Sequence, residues 1–111
     1  MELPEGIKRV ECPEPVEGLS WIYILLMRNG MYYVGQTRDV SRRIQRHADG
    51  TGSRQAKQLK EFALVYIEGP VPHDAATKRE RQLKKWSHAK KEALIKGDFE
   101  AVKRLSKSRE N

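Results

Sequence analysis

Apolar positions run without a break from Trp21 to Met27, a pattern typical of a strand that is covered on both faces of its sheet. Turn residues follow at 28–30, where the sequence reads Arg-Asn-Gly, and residues 31–36 again have the composition of a strand. The two segments predict a β-hairpin, and we expect its first strand to be central in the sheet.

The length of the hairpin loop decides whether Tyr23 and Tyr33 lie on the same face of the sheet. A two-residue loop at Asn29-Gly30 would pair Tyr23 with Gln36 and place the two rings on opposite faces, because strand side chains alternate. A three-residue loop would place the rings together, and Gly30 suits the left-handed position of such a loop. We expect the three-residue loop and a shared face.

Helical spacing replaces the strand pattern after Asp39, which is a candidate N-cap. Val40, Ile44 and Ala48 recur at that spacing and predict a buried stripe up to about residue 49, where glycines at 50 and 52 end the helix. The later elements that we expect are a short helix over 55–60, a third strand over 64–67 bounded by Gly69-Pro70, and three helices capped by Asp74, Ser87 and Asp98, the first running to about 85 and the second ending at Gly97.

This order of elements predicts an α+β fold in which helices flank a three-stranded sheet. Residues 1–20 contain three prolines and scattered glutamates without apolar periodicity, so we expect a flexible leader outside the core. One domain over 21–106 and a short tail at 107–111 complete the division of the chain.

The charge of the chain is unevenly distributed. The formal net charge is +7, but five glutamates against Lys8 and Arg9 give residues 1–20 a charge of −3, which leaves +10 for the remainder. Such a surplus favours a polyanionic partner, because neutralised phosphates release condensed counterions. Nucleic acid is the natural candidate, and a merely solvated basic surface is the alternative.

Cysteine content and hydropathy exclude several classes of protein. Cys12 is the only cysteine, so neither an intramolecular disulfide nor a thiolate metal cluster can form within the sequence, and a reducing compartment is the simpler interpretation. The longest apolar run is far shorter than the ~20 residues that cross a bilayer, and the acidic N-terminus does not resemble a signal peptide. We expect a soluble, cytoplasmic protein with no membrane partner.

Two helical side chains share one side of the helix that follows Asp39. At 100° per residue, Arg43 and His47 flank the apolar stripe, whereas Arg42 and Arg46 point away from it, as expected of a solvated face. A lone histidine at such a position can equally be a half-buried residue that donates to a carbonyl.

A carboxylate interrupts the apolar stripe of the helix from Asp74. Ala76, Leu83 and Ser87 define that stripe, and Glu80 lies in its middle. A buried, unpaired carboxylate costs several kcal/mol, so Glu80 must be paired, protonated or directed at a polar cavity such as a metal site. An ion pair with an inward arginine such as Arg43 and a metal site are both open at this point.

Residues at several positions along the chain together resemble the pattern of a known family. Trp21-Ile22-Tyr23, then Tyr33-Val34-Gly35 ten residues later, then Arg43, His47 and a helical Glu80 resemble the pattern of the GIY-YIG nuclease superfamily, in its small single-domain bacterial form. Trp21 stands where the family pattern begins with glycine. The resemblance implies a GIY-YIG-like α+β fold, β-β-α-β-α-α, with a three-stranded antiparallel sheet flanked by helices.

The resemblance also implies a role for each of these residues. Tyr23 would deprotonate or orient the attacking water, Tyr33 would line the same site, and Gly35 would let the chain pass close by. Arg43 would stabilise the charge of the transition state, His47 would assist proton transfer, and Glu80 would hold one divalent cation, Mg²⁺ or Mn²⁺. Individually, the tyrosines could be ordinary strand aromatics.

We therefore expect a GIY-YIG-type endonuclease that hydrolyses phosphodiester bonds of DNA, with a role in DNA processing or repair. The alternative is a noncatalytic, basic nucleic-acid-binding module; a protein-interaction scaffold is a third. The sequence leaves open whether the protein is a monomer or a weak dimer. The basic side chains that we expect to contact nucleic acid are Arg38, Arg42, Arg46, Lys78 and Arg79.

Overall fold

A computed structural model describes residues 2–49 and 62–109 of the chain. Its three strands form one antiparallel sheet in the order β2-β1-β3, so the apolar strand is central as predicted. The α+β fold is confirmed. The helix that we expected after Asp98 is the last element of the described part and follows the order β-β-α-β-α-α. The helix expected over 55–60 lies outside the described residues. The elements are β1 (Leu19–Met27), β2 (Tyr32–Thr37), α1 (Val40–Asp49), β3 (Phe62–Pro72), α2 (His73–Lys84), α3 (His88–Lys96) and α4 (Phe99–Arg109).

The hairpin between β1 and β2 has the three-residue loop that the sequence predicts. Gly30 adopts a φ of +85°, and its N–H donates to the Met27 carbonyl at 2.8 Å. The resulting register pairs Tyr23 with Gly35 and Leu25 with Tyr33. Because partners across a ladder share a face, Tyr23 and Tyr33 lie on the same face, and that prediction is confirmed.

Strand β3 is longer than predicted, because it continues through Gly69-Pro70. The pairing with β1 shifts between Ser20, opposite Val71, and Ile22, opposite Glu68, so β3 carries an extra residue there. Gly69 has a φ of +123°, which favours glycine, and an edge strand tolerates the missing N–H of proline. The Gly-Pro pair therefore marks a bulge and not the end of the strand.

The sheet separates two apolar clusters. One face packs Ile22 and Ile24 against Ala76 and Leu83 of α2 and Leu94 of α3. The other face packs Tyr23, Leu25 and Leu64 against Val40 of α1, with Ile44 partly buried beside them. This smaller cluster forms the floor of the candidate site.

Three of the four predicted helix caps are confirmed. Asp39, Ser87 and Asp98 each accept a hydrogen bond from the backbone N–H three residues further on, at 3.1, 3.2 and 3.1 Å. The cap predicted at Asp74 is wrong: α2 begins at His73 after Pro72, and Asp74 lies within its first turn. A carboxylate there still stabilises the helix through its dipole.

Residues 1–20 are not entirely outside the core. The prediction that they lie outside it is wrong at Ile7. Ile7 is 4% exposed in the larger apolar cluster. The N–H of Val10 donates to the carbonyl of Leu64 at 2.9 Å, which places this part of the leader beside β3. An isolated buried isoleucine produces no apolar periodicity in the sequence, so the pattern gave no sign of it. Its burial stabilises the fold by ~1.5–3 kcal/mol.

No helix in the described ranges is both long enough and apolar enough to cross a membrane.

Candidate active site

Three elements bring Tyr23, Tyr33 and His47 together. Tyr23, in the middle of β1, is fully buried, and Tyr33 on β2 is 45% exposed. The His47 ring of α1 meets both edge-on, with centres 5.5 Å from Tyr33 and 6.5 Å from Tyr23, and the Phe62 ring lies 6.1 Å away. His47 therefore packs against three aromatic side chains, one from each strand of the sheet.

Helix α1 presents its basic residues as the helical spacing predicts. Arg43 and His47 are half-buried, whereas Arg42 and Arg46 are exposed. The predicted stripe is shorter than expected, because Ala48 is exposed and only Val40 and Ile44 of α1 pack against the sheet.

Gly35 makes room for the side chain of Tyr23. A Cβ atom at position 35 would lie 2.5 Å from Tyr23 Cζ and would also overlap the hydroxyl oxygen. The phenol ring therefore lies directly across the β2 backbone at this glycine. Any larger residue would displace the ring.

The Tyr23 phenol keeps its proton at neutral pH. Burial raises the pKa of Tyr23 to about 12; nearby Tyr33 and Glu80 raise it too, and the Arg43 guanidinium opposes them. Arg43 lowers the pKa of Tyr23 by its charge and by a side-chain hydrogen bond, yet this contact does not have regular hydrogen-bond geometry, and no other described residue bonds to the buried hydroxyl. A buried hydroxyl left unpaired costs ~1–3 kcal/mol, so this oxygen is ready to bond to a ligand.

The His47 imidazole is neutral at pH 7. Burial lowers its pKa, and the positive charges of Arg43 and Arg46 lower it further. His47 Nε2 is buried, and no hydrogen-bonding partner for it is found in residues 2–49 and 62–109. The carbonyl partner that we considered for this histidine is thus not observed at Nε2, and the neutral ring can accept a proton there.

We expect the protonation midpoint of His47 to lie below 6.5 and to rise in Arg43→Ala, because the variant removes a neighbouring positive charge. NMR titration of the imidazole signals measures both midpoints. Since the folded-state pKa is depressed, the unfolded chain takes up the proton first, and wild type should lose stability as pH falls through 6.5 toward the folded pKa. His47→Gln should lose less stability over that window in thermal unfolding. A midpoint that is unchanged in Arg43→Ala would contradict the prediction.

Helix α2 brings Glu80 to the site from the edge of the sheet. Gln36 Nε2 on β2 donates to Thr77 Oγ1 at 3.0 Å, and Thr77 lies one turn before Glu80 on the helix. The Glu80 side chain is 19% exposed, and its charge contributes to the raised pKa of Tyr23. Ser87, which we assigned to the stripe of this helix, instead caps α3.

The ion-pair partner of Glu80 is Lys84 and not Arg43. Lys84 Nζ lies 3.4 Å from Glu80 Oε2, and the lysine side chain is 55% exposed. A pair of this kind, four residues apart on a helix, contributes only ~0.3–0.5 kcal/mol. A divalent cation can therefore displace the ammonium group with little loss.

The donor set fits one hydrated cation. The described residues contain no group of three or more His, Cys, Asp or Glu side chains placed to hold a metal. Mg²⁺ typically keeps several waters and binds one or two carboxylates together with substrate phosphates. Glu80 can supply the carboxylate, and the buried Tyr23 hydroxyl and His47 Nε2 can bond to the surrounding water and phosphate oxygens.

The five predicted contacts to nucleic acid are not equally available. Arg38, Arg42 and Arg46 line one groove, and Lys78 is exposed on α2. Arg79 instead donates from Nε to Glu68 Oε2 at 2.8 Å, and its guanidinium lies 5.3 Å from the Trp86 ring centre. Arg79 therefore joins β3 to α2, and its guanidinium is already paired with a carboxylate.

The groove also contains polar residues that sequence reasoning missed. Ser20, Gln36, Thr37, Asp39 and His73 line it together with the arginines. They come from β1, β2, the N-cap of α1 and the beginning of α2, so no single spacing connects them. The only available signal was that Gln36 and Thr37 directly follow the glycine of the second tyrosine motif.

Comparison with known proteins gives consistent results. The profile of the GIY-YIG catalytic domain matches residues 19–93. The UPF0213 protein BH0048 of Halalkalibacterium halodurans is 35% identical over 89 residues, which cover 78% of this chain and 95% of the relative. The UPF0213 protein SSP2268 of Staphylococcus saprophyticus is 36% identical over 75 residues, 68% of this chain and 92% of the relative.

A solved structure is similar as well. The solution NMR structure of the protein EF2693 from E. faecalis has 30% sequence identity and a TM-score of 0.55, and the match covers 77% of this chain and 91% of that one. GIY-YIG domains imply a nucleic-acid substrate, and these nucleases generally use a divalent metal. The matched segment contains both tyrosines, the α1 arginine and histidine, and the α2 glutamate, and the chain belongs to the GIY-YIG nuclease family.

Proposed function

We propose that the protein hydrolyses phosphodiester bonds of DNA with one divalent cation, Mg²⁺ or Mn²⁺. Three buried polar atoms of the described residues have no hydrogen-bond partner of regular geometry: Trp21 Nε1, Tyr23 Oη and His47 Nε2. The observation that carries this proposal is that the last two lie within electrostatic reach of the same guanidinium, that of Arg43. Packing alone gives no reason to keep two such atoms unpaired beside a fixed positive charge. A phosphate and its attacking water would satisfy both.

Each side chain has a distinct part in the proposed reaction. A cation held by Glu80 would neutralise negative charge on the phosphate. Arg43 donates two N–H groups to nonbridging oxygens and stays protonated throughout. Neutral His47 accepts the proton of the attacking water as the oxygen–phosphorus bond forms, and the bond to the leaving oxygen breaks with uptake of a proton from solvent.

The two tyrosines orient the groups that react. Because burial raises the pKa of Tyr23 to about 12, we assign its phenol to hydrogen-bond donation and not to proton removal. Tyr33 packs edge-on against His47 and holds the imidazole ring in place. Of the two roles expected of Tyr23, this division keeps the orienting one and not proton removal, because the phenol is buried.

A panel of duplex, single-stranded, flap and branched DNA, with RNA of matched sequence, tests the proposal. Purified protein with Mg²⁺ or Mn²⁺ should cut at least one DNA form, and an excess of chelator should stop the reaction. Cleavage that persists with chelator, or no cleavage of any substrate with either metal, would refute the proposal.

Glu80→Gln should raise the half-saturating metal concentration by at least ~10-fold, because the amide lacks the charge that attracts the cation. Lys84→Ala is its counterpart and should lower that concentration about twofold, since the ~0.3–0.5 kcal/mol ion pair no longer competes. Metal titrations of the initial cleavage rate measure both shifts. Equal metal requirements in wild type and Glu80→Gln would contradict the role of Glu80.

A noncatalytic DNA-binding module is the second candidate function, and the arginine groove beside α1 favours it because its cations are independent of a metal. Salt-sensitive binding without cleavage across the whole panel would support it.

We propose further that the protein acts in the cytoplasm in DNA processing or repair, as a monomer or weak dimer. The exposed free thiol of Cys12 suits a reducing compartment.

A further inference from the structure

A basic groove of about 480 Å³ lies at the end of the sheet where β1 begins and β2 ends. Its lining includes Arg38 and three arginines of α1, at positions 42, 43 and 46. Residues four apart on a helix are neighbours, about one 5.4 Å turn from each other, so Arg42 and Arg46 present a row of positive charge along the groove.

Arg43 connects this groove to the candidate active site. The same guanidinium lines the groove and acts on the pKa of Tyr23 and His47. His47, Tyr33 and Phe62 lie toward the other end of α1, away from Ser20 and the start of the helix. A strand whose scissile phosphate contacts Arg43 would therefore enter the groove on one flank only.

The other side chains that line the groove are polar. Ser20 is fully buried, and its Oγ lies 3.4 Å from His73 Nδ1. The one carboxylate in the lining, that of Asp39, accepts the backbone N–H of Arg42 as a helix cap. Four guanidinium groups thus share the lining with hydroxyl and imidazole groups, which suits an anion better than a base.

The described residues that line the groove include no Phe, Tyr or Trp side chain. Proteins that bind bases of a single strand use such rings as stacking platforms. Two rings of this kind, those of Tyr33 and Phe62, lie in the pocket around His47 and not in the groove. The groove therefore has charged donors for phosphates, and no Phe, Tyr or Trp ring among its described residues offers a stacking platform for a base.

We propose that the groove binds the phosphodiester backbone on one side of the scissile phosphate, independently of base sequence. The proposal rests on the proposed function, because it takes Arg43 as the contact to the scissile phosphate. It adds a second binding site, which makes the substrate requirement asymmetric: nucleotides on one side of the cut contribute affinity and those on the other side do not.

Fluorescence anisotropy with a labelled 20-nucleotide DNA, as single strand and as duplex, tests the groove in chelator, where no cleavage occurs. Arg38→Ala/Arg42→Ala should reduce the slope of log affinity against log salt by ~0.7–0.9 for each phosphate that the variant no longer neutralises. The reduction should be equal for two unrelated base sequences. Lys8→Ala/Lys103→Ala, which removes two exposed charges from the leader and α4, should keep the wild-type slope.

An unchanged slope in Arg38→Ala/Arg42→Ala, or an equal reduction in Lys8→Ala/Lys103→Ala, would overturn the proposal. The variant Arg38→Ala/Arg42→Ala is called the groove variant below. If it lowers the slope while wild type cuts nothing in the panel, the proposed function fails, and the binding of backbone phosphates in the groove is still supported. If the groove variant binds like wild type while Glu80→Gln raises the metal requirement, the groove alone fails.

Shortening the substrate tests the asymmetry. In wild type, removal of nucleotides from one side of the cut should weaken binding, and removal from the other side should not. In the groove variant, removal of nucleotides from either side should leave the binding affinity unchanged. Equal weakening from both sides in wild type would refute a one-sided site.

Discussion

Arg43→Ala should lower the rate of the cleavage step by ~10²–10³-fold while the protein stays folded, which is the usual effect of losing one preorganised donor to a transition state. Arg43 is half-buried on α1, and its charge acts on both Tyr23 and His47. Removing the guanidinium takes away the donors to nonbridging oxygens and the fixed charge beside the buried phenol. Single-turnover cleavage at saturating DNA measures the loss, and thermal unfolding checks the fold.

Arg43→Lys separates charge from geometry. It keeps a positive charge but loses the planar fork that binds two phosphate oxygens, so we expect its rate to fall between those of wild type and Arg43→Ala. Lys103→Ala, which removes one exposed charge on α4, is the matched control and should cleave at the wild-type rate. A rate within tenfold of wild type for Arg43→Ala would exclude Arg43 from the transition state.

The parts of the fold that were predictable from sequence depend on local periodicity. The three-residue hairpin loop follows from Gly30 and fixes the shared face of Tyr23 and Tyr33 through the alternation of strand side chains. The half-burial of Arg43 and His47 follows from helical spacing in the same way. Two short-range rules thus bring together four residues of the candidate site.

The parts that sequence reasoning missed depend on contacts between distant segments. Nothing local shows that Ile7 reaches the core, or that Ser20 and His73 face one groove. The Gly69-Pro70 pair resembles a strand end, and only its pairing with β1 shows a bulge. For Glu80, sequence predicts a constrained carboxylate, but the choice of Lys84 as its partner depends on packing at the helix surface.

Gly35→Ala should remove most of the activity and destabilise the fold by ~1–3 kcal/mol, the usual range for overpacking. The new Cβ atom would overlap Tyr23 Cζ, and the Tyr23 ring is fully buried, so the ring cannot move away without disturbing the smaller apolar cluster. Gly35 has no positive φ, so backbone strain does not explain the effect. Urea unfolding measures the stability, and single-turnover cleavage measures the activity.

A double-mutant cycle with Tyr23→Leu shows whether the Tyr23 ring is the cause of the reduced stability. Leucine has no phenol to lie across the backbone at position 35, so Gly35→Ala should cost much less stability in the Tyr23→Leu background than in wild type. The two changes should therefore be non-additive by ~0.5–3 kcal/mol, as expected of residues in direct contact. Additive effects would mean that the glycine is required for some other reason. A strong coupling would show that this glycine is needed because the Tyr23 phenol must cross the β2 backbone to reach the candidate site.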